Sequence, residues 1–133
     1  MAKIVHTSGK RKSAIARVTL REGKGRVRVN KVLIDAFGPK MARMKIREPL
    51  MLAKDIADNV DVDILIKGGG IMSGADAARL AVGRALVEFA GKGPLREKFI
   101  KYDRTLLVPD VRQKEPCKPN TSKARAKRQK SYR

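Results

Sequence analysis

Most of the residues in this chain that could do chemistry are lysines and arginines. The 133 residues include 32 Lys and Arg against 13 Asp and Glu, which gives a formal net charge of +19 at pH 7. Lysine presents a point charge, whereas arginine can form two parallel hydrogen bonds to one phosphate. The excess of positive charge predicts a polyanionic partner, which DNA, RNA and an anionic membrane surface all satisfy.

The basic residues are concentrated in three blocks. The first is segment 7–13, predicted to be a loop between two strands. The second is the arginine face of a predicted hairpin over 14–30, and the third is the C-terminal run 122–133. Charges that prevent edge-to-edge aggregation are the alternative for the hairpin, and a solubilising or localisation tail is the alternative for the run. The candidate nucleic-acid contacts in these blocks are Lys10, Arg11, Lys12, Arg17, Arg21, Arg26, Arg28, Lys123, Arg125, Lys127 and Arg128.

The sequence offers no complete catalytic or metal site. Its single Cys and single His exclude an internal disulfide, a multi-cysteine zinc site and a zincin-type histidine pair. His6 and Cys117 lie far apart, and nothing near Asp61 and Asp63 completes a metal site. We therefore predict no catalytic residue, no metal, no cofactor and no small-molecule substrate. The methionines are more typical of a core or an interface than of cofactor ligands, and three of them are loosely spaced at Met41, Met44 and Met51.

A glycine-rich turn, Gly68-Gly69-Gly70, leads into a predicted helix. Neither this turn nor Gly9-Lys10-Arg11 has the spacing of a P-loop. Backbone N–H groups and the dipole at a helix N-terminus favour an anion, so a phosphate of a nucleic-acid backbone would fit there. Anion binding, with Gly69 as the candidate contact, and a purely structural strand–helix connection both remain open.

Hydrophobic periodicity predicts the elements that position these residues. Residues 14–21 and 26–30 alternate as strands around a turn at 22–25, which predicts a β-hairpin. Arg79 lies at the rim of the apolar stripe of a long helix and is a further candidate contact. A sheet covered by helices on one face, an α+β fold, follows from the order of the elements. Further strands are predicted at 32–34, 60–67 and 106–108, and helices at 49–58 (with Pro49 in the first turn), 73–90 (opened by a capping box at Ser73) and 94–101.

The charge is unevenly distributed along the chain. Residues 111–133 contain nine Lys and Arg and one acid, a net +8, and hold no Leu, Ile, Met or Phe. Such a segment cannot bury enough apolar area to offset about 1–2 kcal/mol per residue of backbone ordering. We therefore predict a globular domain over 1–110 and an extended basic tail over 111–133 that is disordered when free. Residues 48–63, with five acids and one lysine, predict either an acidic side facing away from the polyanion or ordinary solvated surface.

No apolar run approaches 18 residues, and the sequence shows no signal-peptide core. A soluble, cytoplasmic protein without a membrane partner is therefore expected.

Five motifs make the chain resemble a known family over nearly its whole length. They resemble the family of the ninth protein of the small ribosomal subunit, in its archaeal form. The glycine turn and the C-terminal ending carry most of the specificity. The motifs are Thr7 to Val18, Lys67-Gly68-Gly69-Gly70 leading into Ser73 to Arg79, Arg84-Ala85-Leu86, Asp110 to Glu115, and the ending Lys123 to Arg133.

The resemblance implies a four-stranded α+β domain with a left-handed β-α-β crossover, like the second domain of the fifth small-subunit protein. It also implies no enzymatic activity, a place in the head of the small subunit in the cytoplasm, and contacts with ribosomal RNA (rRNA) and neighbouring head proteins. The tail is expected to thread through rRNA and to reach the anticodon stem-loop of the tRNA in the peptidyl site. The implied rRNA contacts of the tail include Arg112, Lys114 and Lys118, and its implied tRNA contacts are Lys130 and Arg133. Bacterial members commonly end in Ser-Lys-Arg, whereas this chain ends in Ser131-Tyr132-Arg133, so Tyr132 is expected to stack on a base or sugar of the tRNA instead of pairing with phosphate.

Two alternatives from other classes remain open at this point. One is a free-standing basic architectural or chaperone protein that acts on DNA or RNA. The other is a small phosphotransferase, because some kinases share the predicted fold class and a glycine turn.

Overall fold

The computed structural model of the chain describes residues 3–91, 93–120, 123–125 and 131–132. In these residues strands and helices combine into an α+β architecture, as predicted. Two 3-10 turns, Ile34–Ala36 and Arg104–Leu106, complete the fold. The strands are β1 (Ile4–Arg11), β2 (Ala14–Glu22), β3 (Val27–Val29), β4 (Val32–Leu33) and β5 (Val60–Lys67), and the helices are α1 (Lys40–Leu52), α2 (Lys54–Ala57), α3 (Ile71–Ala90) and α4 (Pro94–Tyr102).

The strands form one mixed sheet in the order β1-β2-β5-β3-β4. All neighbours are antiparallel except β3 and β5, which run parallel and are joined through α1 and α2 as a β-α-β crossover. The sheet has five strands rather than the four that the family resemblance implies, because Val32–Leu33 pairs with β3 as a two-residue edge strand. The left hand of the crossover stays a prediction.

The predicted hairpin over 14–30 is wrong in its pairing. β5 lies between β2 and β3, so the two strands on either side of the turn at 22–25 are not neighbours. All eight residues of β5 pair with β2, whereas β3 is only three residues long and could form fewer pairs with β2. Alternation predicts the face that a side chain takes but not the strand beside it, and here the longer pairing prevails.

The first basic block is mostly strand rather than loop. β1 continues to Arg11, which pairs with Ala14, so only Lys12 and Ser13 form the turn. Lys12 has a φ of 54°, the left-handed conformation that two-residue hairpin turns favour. The basic block is therefore presented on a rigid hairpin.

The helix predicted at 49–58 is wrong in its bounds. α1 begins at Lys40 and runs through Pro49, after which α2 is a separate short helix. Proline is most favoured in a first turn, but Pro49 is buried in the last turn of α1, where the core holds it. Tertiary packing thus overrides the local preference.

Two further details of the predicted elements differ. The segment 106–108 is not a strand: a 3-10 turn ends at Leu106, and the Asp103 carboxylate caps that turn by accepting a hydrogen bond from the Thr105 N–H. The long helix α3 begins at Ile71 instead of Ser73, and the Ser73 hydroxyl accepts the Gly70 N–H at 3.0 Å. Its end at Ala90 agrees with the prediction.

The core lies between the sheet and α3. The buried positions of β2 alternate from Ala14 to Leu20 and face the buried stripe of α3, which includes Ala78, Ala81 and Val82. The two layers lie close together: a Cβ built on Gly9 in β1 would be 2.3 Å from the Ala77 carbonyl oxygen. This close packing leaves the opposite face of the sheet to carry polar side chains.

Candidate nucleic-acid interface

The face of the sheet opposite α3, which we call the open face, carries the alternate residues of β1, β2 and β5. Arg17 of β2 is exposed on it, between Ser8 of β1 and Leu65 of β5. The face encloses a shallow concavity of about 840 Å³. Its lining combines cations with apolar side chains, as an RNA backbone and sugar edge require. The lining residues include His6, Ser8, Arg17, Thr19, Arg28, Asn30, Lys31, Asp63 and Leu65.

Asp63 neutralises part of the predicted arginine face. Its carboxylate accepts hydrogen bonds from Arg21 at 3.0 Å and from Arg28 at 2.8 Å. These ion pairs are partly exposed, so they remain open to exchange for a phosphate. Arg17 and Arg26 are exposed as well.

The segment 48–63 does not form one acidic side. Insertion of β5 between β2 and β3 places Asp61 and Asp63 among the arginines of the open face, and Glu48 pairs with Arg79. Asp61 accepts the backbone N–H groups of Arg26 (3.0 Å) and Lys24 (2.9 Å). These two bonds lower the pKa of Asp61 below its ordinary value.

Lys31 lines the open-face concavity and was missed by the sequence-based prediction. Asn30 and Lys31 both have positive φ, 50° and 69°. The Asn30 side-chain oxygen accepts the Ile66 N–H at 2.9 Å, which ties this turn to β5. The one local signal is the Asn-Lys pair directly after an alternating run, which is typical of a turn.

The root of the tail, residues 107–114, is held against the tip of the β1–β2 hairpin. Arg84 of α3 donates to the backbone oxygens of Leu107 (3.1 Å) and Ser8 (3.0 Å). Arg11 donates to the Arg112 carbonyl oxygen at 3.0 Å and lies 3.4 Å from the Asp110 carboxylate. We call these two arginines the tail clamp. Arg84 was not predicted as a functional residue, and it gives no local signal beyond a cation inside an apolar helix.

The tail clamp brings together lysines that are distant in sequence. Lys10 and Lys12 of the hairpin and Lys114 of the tail line one cleft of about 450 Å³, with Ser13 and Gln113 between them. We call it the basic cleft. Three lysines that line one small cleft favour a phosphate group.

Asp110 connects the clamp to Arg112. Its carboxylate accepts Arg112 Nη2 at 2.7 Å, Arg112 Nε at 3.0 Å and the Arg112 N–H at 3.1 Å. The Arg112 hydrogen bonds, with Arg11 nearby, hold the pKa of Asp110 well below its ordinary range. The carboxylate therefore stays ionised across the neutral range.

Beyond Asp110 the described tail residues from 111 to 120 are all exposed and lie outside any helix or strand. Lys118, Lys123 and Arg125 are exposed, and Arg125 forms a two-bond pair with Glu115 at 2.9 and 2.5 Å. Tyr132 is 88% exposed. The predicted contacts Lys127, Arg128, Lys130 and Arg133 lie outside the described residues.

The glycine turn packs against the hairpin turn. Gly68 and Gly69 have φ of 73° and 66°, and a Cβ on Gly69 would lie 2.7 Å from the Ala14 Cβ. The Gly70 N–H already donates to Ser73. These contacts favour the structural alternative for this turn, which supports the hairpin next to Lys12.

Arg79 is engaged within the protein and not with the open face. Its guanidinium donates to Glu48 (2.5 Å), Thr105 (2.7 Å) and Asp103 (2.8 Å). Burial disfavours its charge, but the hydrogen bonds to the two carboxylates outweigh burial and raise the pKa of Arg79. The residue thereby joins α1 and α3 to the 3-10 turn at Arg104–Leu106, and we leave it out of the interface.

Within the described ranges no group of three or more His, Cys, Asp and Glu side chains is placed to hold a metal ion. No helix in the same part of the chain is long and apolar enough to cross a membrane.

Comparison with known proteins places the chain in a family. The family described as Ribosomal protein S9/S16 matches residues 9–133. "Small ribosomal subunit protein uS9" of Methanococcus maripaludis strain C7 is 56% identical over 133 residues, covering 98% of this chain and 99% of the relative. The protein of the same name from Methanococcus vannielii is 53% identical with the same coverage. Because these relatives are named as ribosomal proteins, the comparison favours a structural protein and not the phosphotransferase alternative. The chain belongs to the ribosomal protein S9/S16 family.

Proposed function

We propose that this chain is a structural constituent of the small ribosomal subunit, in the cytoplasm, and that it binds rRNA through its basic cleft and its open face. The observation that carries this proposal is the convergence of Lys10, Lys12 and Lys114 on one cleft. Their approach depends on the tail clamp, so the fold creates a phosphate site that neither segment has alone.

The open face supplies the second part of the proposed rRNA surface. Arg17 and Lys31 line its concavity, and the pairs of Arg21 and Arg28 with Asp63 are exposed enough to exchange for phosphates. Because the grooves of A-form RNA are read mainly by shape and backbone, few base-specific contacts are expected. Arg26 lies at the edge of the same surface.

The tail extends the proposed surface beyond the domain. Its described residues from 112 to 120 are exposed and lie outside any helix or strand, and a basic segment of this kind orders on a polyanion. We infer that rRNA holds the part from Lys114 to Arg128, including Lys118, Lys123, Arg125 and Lys127. Lys130, Tyr132 and Arg133 are inferred to contact the anticodon stem-loop of the peptidyl-site tRNA, with the Tyr132 ring stacking on a base or sugar.

The salt dependence of rRNA binding tests the basic cleft. Each lost phosphate contact lowers the slope of log affinity against log salt by about 0.7–0.9. We expect the double change Lys10→Ala and Lys12→Ala to lower the slope by about 1.4–1.8. Filter binding to small-subunit rRNA between about 50 and 200 mM salt measures this slope.

The matched control removes two exposed lysines from the helical side, Lys54→Ala and Lys101→Ala. It should leave the slope nearly unchanged. Equal losses in both double variants would show that only total charge matters, which would contradict the proposed site. Failure of the wild-type chain to co-sediment with small-subunit particles at high salt would instead support a free-standing architectural protein.

A further inference from the structure

The outward face of α1 carries an unusual row of exposed methionines. Met41, Met44 and Met51 are 61%, 53% and 75% exposed, on the side of the helix away from its buried residues Ala42 and Ile46. Their positions are i, i+3 and i+10, and Glu48 occupies i+7. This is the spacing of one seam of a helix that packs against another helix. We call this row the methionine face.

Glu48 does not interrupt the methionine face with a free charge. Its carboxylate accepts Arg79 Nε at 2.5 Å, and its proximity raises the pKa of the Tyr102 hydroxyl. Tyr102 is itself 57% exposed, so its ring extends the apolar surface beside α1. The charge of Glu48 is thus balanced by Arg79, and the ring of Tyr102 lies beside it.

Three of the four cations of α1 bind protein acceptors. Lys45 binds Asp76 at 2.6 Å, Arg47 pairs with the Asp35 carboxylate, and Arg43 donates to the Asp35 backbone oxygen. By contrast, Arg17 of the open face and Lys10 and Lys12 of the basic cleft are exposed and have no protein acceptor among the described residues. The methionine face therefore fits a protein better than it fits RNA.

The charge of α1 indicates the chemistry of that protein. Lys45, Arg47 and Glu48 of this helix are paired with Asp76, Asp35 and Arg79. The charges of Lys40 and Arg43 have no carboxylate partner among the described residues, so the rim is electropositive. A partner with carboxylates at its own rim is attracted by this field. Flexible, polarisable methionines adapt to an apolar stripe on such a partner.

We propose that the methionine face is the docking surface for an acidic amphipathic helix of a neighbouring small-subunit protein. The helical form of the occupant follows from the seam spacing, and its acidity follows from the rim. This proposal rests on the proposed place of the chain in the small subunit.

A photo-crosslinking amino acid at position 44 of the full chain tests the proposal in reconstituted small subunits. We expect the crosslinked product to contain a peptide of another ribosomal protein, with net negative charge and apolar residues at i, i+3 or i+4, and i+7. The matched control carries the crosslinker at Ile4, which is 57% exposed on the open side of the sheet, and should not capture that peptide. Crosslinks to rRNA, crosslinks to a second copy of the chain, or solvent-quenched probe alone would each overturn the proposal.

A polar variant separates docking from RNA binding. Met44→Gln with Met51→Gln keeps the side-chain length and helix propensity of both exposed positions, and circular dichroism should show an unchanged fold. We expect affinity for naked rRNA to stay within about twofold, while the rate at which labelled protein leaves assembled subunits rises about tenfold or more. Ile100→Gln, at an exposed position of α4 outside the open face, the basic cleft and the methionine face, should change neither quantity.

The two measurements keep the proposals distinguishable. An unchanged exit rate in the double variant overturns the docking surface and leaves the rRNA proposal intact. Absence of rRNA binding in the wild-type chain overturns the proposed function itself.

Discussion

Individual arginines with the same chemistry have very different roles in this molecule. Arg11, predicted as an RNA contact, uses its guanidinium on the Arg112 carbonyl oxygen and the Asp110 carboxylate. Arg79 donates hydrogen bonds to Glu48, Thr105 and Asp103. Arg17, by contrast, is exposed on the open face. Because guanidinium groups are always charged, composition counts them alike. Only the acceptors around each one decide whether it clamps the fold or is available to a phosphate.

Arg11→Gln should loosen the root of the tail. The variant loses the ion pair with Asp110. A spin label attached at Val111→Cys, in a Cys117→Ser background, should therefore become more mobile, and its rotational correlation time should shorten about threefold. Electron paramagnetic resonance of the labelled full chain measures this. The control Arg26→Gln removes the same charge far from the tail and should leave the label unchanged; an immobile label in both variants would show that Arg84 alone suffices.

The same label reports the pH dependence of the clamp. Hydrogen bonds from Arg112 lower the pKa of Asp110 in the folded chain. A group with a depressed pKa stabilises above its ordinary pKa and loses that contribution only as pH falls through the folded value. The label should therefore keep its mobility as the pH falls from 7 through about 4, where an ordinary Asp is half protonated, and should become more mobile only at lower pH.

Among the elements, the turns hold the candidate interface in shape. The glycine turn after β5 packs on the hairpin turn between β1 and β2, and the left-handed φ of Gly68 and Gly69 makes this contact possible. The hairpin tip in turn presents Lys12 to the basic cleft. The glycine turn thus supports the position of Lys12 in the basic cleft through its packing on the hairpin turn.

Gly69→Ala should destabilise the domain by at least about 2 kcal/mol. An L side chain costs about 1–2 kcal/mol in the left-handed region, and the new Cβ would lie 2.7–3.0 Å from atoms of Ala14. Urea denaturation measures the free energy of unfolding. Gly93→Ala is the matched control, because nothing lies within 4 Å of its Cβ position and its φ is −108°; equal effects in the two variants would contradict the packing argument.

The sequence predicted the type of most helices and strands better than it predicted which of them are neighbours. The strand at 60–67 and the end of α3 at Ala90 agree with the periodicity of the sequence. The start of α1 at Lys40, well before Pro49, does not, because Ala42 and Ile46 are buried against the core while the intervening residues are polar or exposed. The hairpin over 14–30 failed since strand partners are chosen by long-range contacts.

The whole molecule divides its charge between a folded domain and a tail. The domain holds its cations on the sheet and at a clamped root, while the described tail residues from 111 to 120 are exposed. With +8 of the +19 net charge in 23 residues, the tail can reach an RNA surface beyond the radius of the domain. We therefore expect attachment and tip contact to be separable.

Deleting residues 129–133 should leave subunit assembly intact and weaken peptidyl-site tRNA binding about three- to tenfold. The deletion removes Lys130, Arg133 and the Tyr132 ring, which is worth one stacking contact and two charges. Sedimentation measures assembly, and filter binding of tRNA to programmed subunits measures affinity. Tyr132→Ala alone separates stacking from charge, and collapse of assembly after the deletion would refute this division.

The sequence by itself determined that the partner is a polyanion, that the fold is α+β and that the last 23 residues cannot form a core. These conclusions depend on counts and on periods of two and 3.6 residues, which are local properties. Only the tertiary structure decided which cations are available. Asp63 meets arginines 42 and 35 residues away, Glu48 meets Arg79 31 residues away, and Arg11 meets Arg112 101 residues away. Such pairs depend on which strands and helices become neighbours, and that choice is made by packing over the whole chain.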